Sequence, residues 1–283
     1  MGLSQRNVLV IGATGQQGGS LARLLLQNKH KVYALTRNRN ARSSAIQDLE
    51  NRGANIVEGN LDDPDSLRQV VKNIESIFLM GTPFEDGIEG EISRGKLVAD
   101  IAKENKVEHL VYSSVVNADK NTGIPHFESK YKVEQYIDKL GIPYTIIGPT
   151  FFMENLLDPR LRPALQQGQL ALPLSPSTIL QQISVQNIAE FSAMVIESPE
   201  RFLGKRIDIA SDEVTGQKAT EILSNALGHE IKYTSIPAPN EDLARMFEWY
   251  EKVGTGIDIT NLQQEYPAVN WITFKDWARS KLT

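Results

Sequence analysis

The feature that most constrains this chain is a strict alternation of short apolar runs with amphipathic segments through its first half. Residues 8–11, 31–35, 55–58, 76–80, 109–113 and 144–147 read as strands. Between them, 19–28, 43–52, 65–73, 89–105 and 125–140 read as helices. The run Val8-Leu9-Val10-Ile11 is apolar throughout, the pattern of a strand buried on both faces. Such alternation requires parallel strands joined by helical crossovers that cover both faces of one sheet. The fold class is therefore α/β, a doubly wound parallel sheet. Ligands of such sheets bind beyond the carboxyl ends of the strands. Here those ends follow Ile11, Leu35, Met80, Ser113 and Ile147.

The first of these ends carries Gly12-Ala13-Thr14-Gly15-Gln16-Gln17-Gly18 and opens a helix. Gly12 permits a tight turn, Gly15 lets backbone approach a pyrophosphate, and Gly18 lets helix and strand pack closely. The helix start adds unpaired N–H groups and the positive end of its dipole. Thr14, Gln16 and Gln17 complete the loop. This context, a strand before and a helix after, marks a dinucleotide-binding Rossmann domain. The end of the second strand then selects the cofactor. An acid there takes a ribose 2′-hydroxyl, whereas an arginine accommodates the 2′-phosphate of NADP. The chain reads Thr36-Arg37-Asn38-Arg39, with no acid until Asp48. Arg37 is assigned to the phosphate by charge and planar geometry, with Asn38 adding hydrogen bonds. Arg39 and Arg42 read as a solvated basic turn. The expected cofactor is NADP(H).

Asp62, with Asp63 and Pro64 behind it, reads as the cap of the next helix. Four residues past the third strand, it can also approach the adenine edge. Gly81-Thr82-Pro83, after the fourth strand, reads either as a cofactor-facing turn or as a plain loop. Ser113 ends the fifth strand and is expected at the cofactor, beside Ser114.

Beyond Gly148 the pattern loosens. A helix at 185–197, a strand at 206–209, a helix at 220–227, a strand at 230–236 and helices at 241–253 and 273–282 are expected. The reading is a Rossmann domain over 1–152 and a smaller α/β domain over 153–283. Part of 183–210 is expected to return to the Rossmann sheet. Pro149 and Phe152 are placed near the nicotinamide end, and Phe151, Phe152 and Asn155 are placed in a substrate cleft with Glu154, Phe247 and Trp249 nearby.

The chain has no cysteine, which excludes disulfides, thiolate catalysis and thiolate-held metals. Its four histidines, His30, His109, His126 and His229, lack ligand spacing, so no metal site is expected. The net charge of -5 argues against direct nucleic-acid binding. No apolar run approaches the length of a membrane span, so a soluble, cytoplasmic protein, monomeric or homodimeric, is expected.

Four phrases together carry a family resemblance. They are the Gly12–Gly18 loop, Thr36-Arg37-Asn38, His126-Phe127-Glu128-Ser129-Lys130, and Pro149-Thr150-Phe151-Phe152-Met153-Glu154-Asn155. The chain resembles the NmrA-like branch of the atypical short-chain dehydrogenase/reductases, and the resemblance covers nearly its whole length. It implies a Rossmann domain, a small C-terminal domain and a cleft between them. The family includes NADP(H)-sensing regulators that bind protein partners, among them a repressor that contacts a GATA-type transcription factor. It also includes reductases of quinones, dyes and phenylpropanoids. Relatives of the classical type use Tyr-x-x-x-Lys, in which the tyrosine moves the substrate proton and the lysine holds the nicotinamide ribose. The four-residue spacing puts both on adjacent turns of one helix face. In this chain the two slots hold His126 and Lys130. Lys130 is assigned to the ribose, and His126 is a candidate proton donor, since imidazole is a competent acid near neutral pH. Two functions follow: a redox-responsive regulator with weak reductase activity and a protein partner, or an NADPH-dependent reductase of a small hydrophobic quinone-like or unsaturated substrate.

Overall fold

The computed structural model describes residues 5–41, 43–159 and 161–282, apart from the side chains of Asn40 and Asp86. Arg42, placed by sequence in the basic turn, lies outside the described residues. The first half follows the alternation: β1 (Asn7–Val10), α1 (Gln16–Gln27), β2 (Lys31–Thr36), α2 (Ser44–Asn51), β3 (Asn55–Glu58), α3 (Pro64–Val70), β4 (Ser76–Met80), α4 (Pro83–Glu104), β5 (His109–Ser113), α5 (Pro125–Leu140) and β6 (Tyr144–Pro149). Helix α4 contains a non-helical Gly87 near its start, which is why the periodic pattern becomes legible only beyond it.

Beyond β6 the described elements are β7 (Phe151–Phe152), α6 (Arg162–Gln166), β8 (Gln169–Leu172), β9 (Ile179–Ile183), α7 (Val185–Glu197), α8 (Pro199–Phe202), β10 (Lys205–Ile209), β11 (Asp212–Thr215), α9 (Gly216–Leu227), β12 (Lys232–Ser235), α10 (Glu241–Lys252), α11 (Ile259–Glu265) and α12 (Phe274–Leu282). The main sheet has seven parallel strands in the order β10-β6-β5-β4-β1-β2-β3. Strand β10 joins it beside β6, with Ile207 opposite Ile147. Two small sheets, β11-β9-β7 and β12-β8, lie beyond it.

Both faces of the main sheet are covered, as parallel pairing requires. On one face, Leu21, Ala22 and Leu25 of α1 pack with Ile188, Ala189, Ala193 and Ile196 of α7 over Val8, Val10 and Phe78. On the other, Leu67 of α3, Val98 and Ala102 of α4, and Val133 and Ile137 of α5 pack over Leu9, Ile77 and Leu79. The C-terminal elements have their own core, centred on Leu165, Leu223, Phe274 and Trp277. A fourth cluster joins the two halves: Ile124 and Phe127 meet Met246, Phe247 and Tyr250 of α10.

Several short strands were not legible in the sequence. In β9, Gln181 and Gln182 interrupt the apolar run, yet both are buried. Gln181 Nε2 donates to Glu213 and to the Ile257 carbonyl, so polar side chains fill an interior slot by hydrogen bonding. The strand expected over 230–236 is confined to Lys232–Ser235. At the outer edge of the main sheet, Arg206 bonds Glu134, Asp208 and the Val115 carbonyl at 2.9, 2.5 and 2.8 Å. Ser114 donates to the other oxygen of Glu134. Burial pushes the carboxyls of Glu134 and Asp208 up from their ordinary range.

His109 of β5 is fully buried. Thr145 Oγ1 donates to the Phe202 carbonyl at 2.9 Å, so it accepts from His109 Nε2–H at 2.8 Å. Its buried Nδ1 has no partner among the described residues, which disfavours a second proton and keeps the ring neutral. Burial, with the charge of Arg6, holds its pKa at about 4 against an ordinary 6.5. Between those values the unfolded chain binds more protons than the folded one, so stability falls as pH drops through that window. Chemical denaturation is expected to lose up to roughly 3 kcal/mol from this group between pH 7 and pH 4. The loss should be smaller in His109→Gln.

Candidate functional site

The loop after β1 is shaped to hold an anion. Gly12 has φ +75°, and the Gly15 N–H donates to its carbonyl at 2.9 Å. A Cβ on Gly18 would overlap the Gly12 carbonyl, so only glycine lets α1 sit this close to the strand end. Gly15 caps α1 with no side-chain bond, and the first turn carries no acid. The amides of Gln16, Gln17 and Gly18 therefore face outward with the positive end of the helix dipole. Thr14, Gly15 and Gln16 are exposed, and Gln17 Oε1 accepts Ser113 Oγ at 2.7 Å, tying the loop to the end of β5.

At the end of β2, Arg37 is exposed and has no polar partner among the described residues. Asn38 donates its backbone N–H to Thr36 Oγ1, and Arg39 donates its own to Glu58 at the end of β3. The cap assigned to Asp62 is corrected: Asp63 Oδ1 accepts from Asp65 and Ser66 at 3.0 and 3.2 Å. Asp62 faces the other way and takes Arg94 through two bonds of 2.7 Å. The extended backbone at Asp63, one residue before Pro64, puts its carboxylate over the first turn.

Lys130 and His126 lie on one face of α5 and both are buried. Lys130 Nζ donates to Glu91 Oε1 at 2.6 Å. Glu91 Oε2 accepts Ser129 Oγ. A Cβ on Gly81 would overlap the Glu91 carboxylate, so the turn after β4 is open to admit a charge. Thr82 caps α4 and Pro83 is its first residue. A cavity of about 30 Å³ borders Glu91, Gly81, Thr82, Arg94 and Tyr112, enough for one water. The Tyr112 hydroxyl is buried without a partner among the described residues, and burial beside Glu91 and Glu134 keeps it neutral, well above its ordinary pKa. His126 Nδ1 bonds Asp242 Oδ1 of α10 at 2.5 Å, and its ring meets Phe84 and Phe127 at 5.1 and 4.8 Å. Burial holds the imidazole below its ordinary pKa, with Asp242 acting in the opposite direction.

The sequence profile of the NmrA-like family matches residues 4–277. The chain belongs to the NmrA-like family. An NmrA-like family domain-containing protein from Dictyostelium discoideum is 26% identical over 245 residues, covering 82% of this chain and 80% of its own. An NAD(P)H azoreductase from Xenophilus azovorans is 24% identical over 229 residues, covering 81% and 77%. Among solved structures, NmrA, a negative transcriptional regulator in complex with NADP, superposes with a TM-score of 0.79 at 18% identity, covering 98% of this chain and 95% of its own. At that identity the superposition shows a shared fold, a mostly parallel sheet with a smaller C-terminal domain.

Within this NmrA-like fold, Pro149 is buried at the end of β6 and Phe152 is half-buried against the core cluster that α1 and α7 share. Phe151 sits between the C-terminal core and the junction cluster, 6.4 Å from the Phe247 ring. Asn155 is half-buried in a short 3-10 turn. The cleft role of Glu154 is corrected. Its oxygens accept Val185 N–H at 2.9 Å and Trp277 Nε1–H at 3.0 Å, so it pins α7 and α12 together. Phe247, Met246 and Tyr250 are buried in the junction rather than offered to solvent.

Sequence reasoning missed Glu91 and Asp242. Glu91 shares the inward stripe of α4 with Gly95, Val98 and Ala102, and an acid in that register is the available signal. Asp242 reads as an ordinary acid in a first helical turn. Among the described residues, no group of three or more His, Asp or Glu could hold a metal, and no helix is long and apolar enough to cross a membrane. Breaking the Lys130–Glu91 pair leaves a buried charge alone. Glu91→Ala is therefore expected to cost roughly 3–5 kcal/mol by urea unfolding. The double variant Glu91→Leu/Lys130→Met should recover much of it.

Proposed function

We propose that this protein binds NADP(H) along the carboxyl edge of β1, β2, β4, β5 and β6 and reduces a small hydrophobic, quinone-like acceptor. The fit rests on one observation above others: the space a Cβ would fill at Gly18, beside a helix start with no side-chain cap. Diphosphate oxygens would take the amides of Gln16, Gln17 and Gly18, with Thr14 and Gly15 alongside. Arg37 would pair with the 2′-phosphate, with Asn38 beside it. Asp62, held by Arg94, is the group nearest an adenine edge in this reading. The segment Gly81-Thr82-Pro83, Ser113, Pro149 and Phe152 would flank the nicotinamide half. Lys130 would hold the ribose, steered by Glu91. When bound, NADPH supplies a hydride. Phe151, Phe152 and Asn155 would wall the acceptor.

A reductase is favoured over a partner-binding regulator by α10. Its large apolar residues pack into the junction with Ile124 and Phe127 instead of forming an exposed apolar stripe. The likeness to an azoreductase supports the same reading. An acceptor of this kind stabilises negative charge on its own oxygen, which suits a site with histidine in place of tyrosine. The regulator reading draws on that same replacement. It requires the oxidised and reduced cofactors to bind with different affinity and no turnover.

Calorimetry should show NADPH binding preferred over NADH. Arg37→Ala should weaken NADPH by about 10- to 100-fold, as expected for a lost charge-assisted hydrogen bond, and leave NADH little changed. With 2-methyl-1,4-naphthoquinone, NADPH oxidation at 340 nm should fall roughly 100-fold in Lys130→Met through lost positioning. Equal affinity for NADPH and NADH would sink the Arg37 assignment. Binding without oxidation of NADPH would transfer support to the regulator.

A further inference from the structure

The carboxyl edge of this sheet is built by the Rossmann half, yet α10 of the C-terminal half reaches it. Asp242 sits in the first turn of α10, and its Oδ1 lies 2.5 Å from Nδ1 of His126. Nearby, Arg245 Nη1 donates to the Gly123 carbonyl at 3.2 Å, so α10 is docked on the start of α5 at two points. The His126 ring is held on its faces and edges by Phe84 and Phe127. Its Nε2 has no hydrogen-bond partner among the described residues and is not sealed from solvent. Phe84 follows directly on Gly81-Thr82-Pro83 and is 63% exposed, so the ring stands beside the turn assigned to the nicotinamide half.

We infer that Asp242 is a positioning residue that, by taking Nδ1–H of His126, presents Nε2 to a carbonyl or quinone oxygen in the cleft, so that a two-residue pair drawn from both halves of the molecule delivers the proton. This deepens the reductase reading and rests on it. A carboxylate at Nδ1 fixes the tautomer and orientation of an imidazole and stabilises its protonated form, the logic of acid–histidine pairs elsewhere. During reduction, the acceptor carbon or ring system takes the hydride, and its oxygen takes the proton from Nε2. The imidazolium becomes neutral imidazole, and Nδ1 keeps its proton, still donated to Asp242 Oδ1. Solvent then restores the proton at Nε2. The pairing therefore specifies an acceptor whose oxygen needs one proton per hydride.

The groups that face His126 are Asp242 from α10, Lys130 from its own helix and Glu91 from α4, with the aromatic rings of Phe84 and Phe127. Lys130 opposes protonation, whereas Asp242 and Glu91 favour it. Removing the Asp242 charge thus moves His126 titration to lower pH. Burial already holds it low, so reduction should slow as pH rises through the wild-type value.

The test is a histidine-ring NMR titration of the full chain without cofactor, comparing wild type, Asp242→Asn and Asp242→Glu. The wild type should show the Nδ1–H tautomer at high pH. Asp242→Asn should move the His126 midpoint to lower pH, and Asp242→Glu should restore most of it. With NADPH and 2-methyl-1,4-naphthoquinone, the alkaline limb of kcat should shift in the same direction in Asp242→Asn. NADPH affinity should be unchanged by calorimetry. An unmoved His126 midpoint, or an Nε2–H tautomer in the wild type, overturns the pairing even if NADPH binds. Loss of NADPH binding by the wild type overturns the reductase reading while the titration still reports on the pair. A shifted midpoint with an unshifted kcat limb assigns the contact to docking of α10 alone and overturns the proton role.

Discussion

Parallel pairing is the constraint on which the rest depends. Because β1, β2, β4, β5 and β6 all run the same way, every crossover leaves the sheet at one edge. The glycine loop, the Arg37 turn, the Gly81 turn, Ser113 and Pro149 are far apart in the chain. They meet at that edge because the sheet has one polarity. The register then aligns them: Val10 opposite Phe78, and Met80 opposite Ser113. The close approach of α1 at Gly18 is a local refinement of this arrangement. It brings the helix start within reach of the strand end instead of a side chain's width away.

Several buried charged groups are paired, and most of the pairs join two elements. Lys130–Glu91 joins α5 to α4, and His126–Asp242 joins α5 to α10. Arg206 gathers Glu134 and Asp208 where β10 meets β6. A buried ion pair is weak evidence for stability, since desolvation offsets most of its attraction. Its stronger effect is on geometry, because a charge that must be matched accepts few positions. Helix α5 carries three of these contacts on one face, so its position is set by polar partners as well as by Phe127, Val133 and Ile137.

The alternation of strands and helices was legible through the first 150 residues because each strand there is built on an uninterrupted apolar stretch, as short as Ile56-Val57 in β3, and the helices between them carry an apolar stripe. Strands β3, β4 and β5 and helices α5 and α7 match their sequence bounds residue for residue. In the C-terminal half, β10 and β12 were legible, whereas β7, β8, β9 and β11 were not. Two residues at Phe151–Phe152 cannot show a period, and β9 buries glutamines whose partners come from residues far along the chain. At the site, the glycines and Arg37 stood out by their place after β1 and β2, and His126 and Lys130 through the family resemblance. Asp62 and Asp63 are adjacent acids before one proline, and composition cannot say which of them turns inward to cap the helix.

Local sequence already specifies the parallel α/β architecture, the tight glycine loop after β1 and the arginine at the end of β2. These depend on contacts within a few residues or on a repeated hydrophobic period, and both are written locally. Only the tertiary structure decided the partners of the candidate catalytic residues. Glu91 lies 39 positions before Lys130, and Asp242 lies 116 positions after His126. Whether an acid meets a base across such distances depends on how helices pack. Packing is set by the sum of many apolar contacts, which no local pattern records.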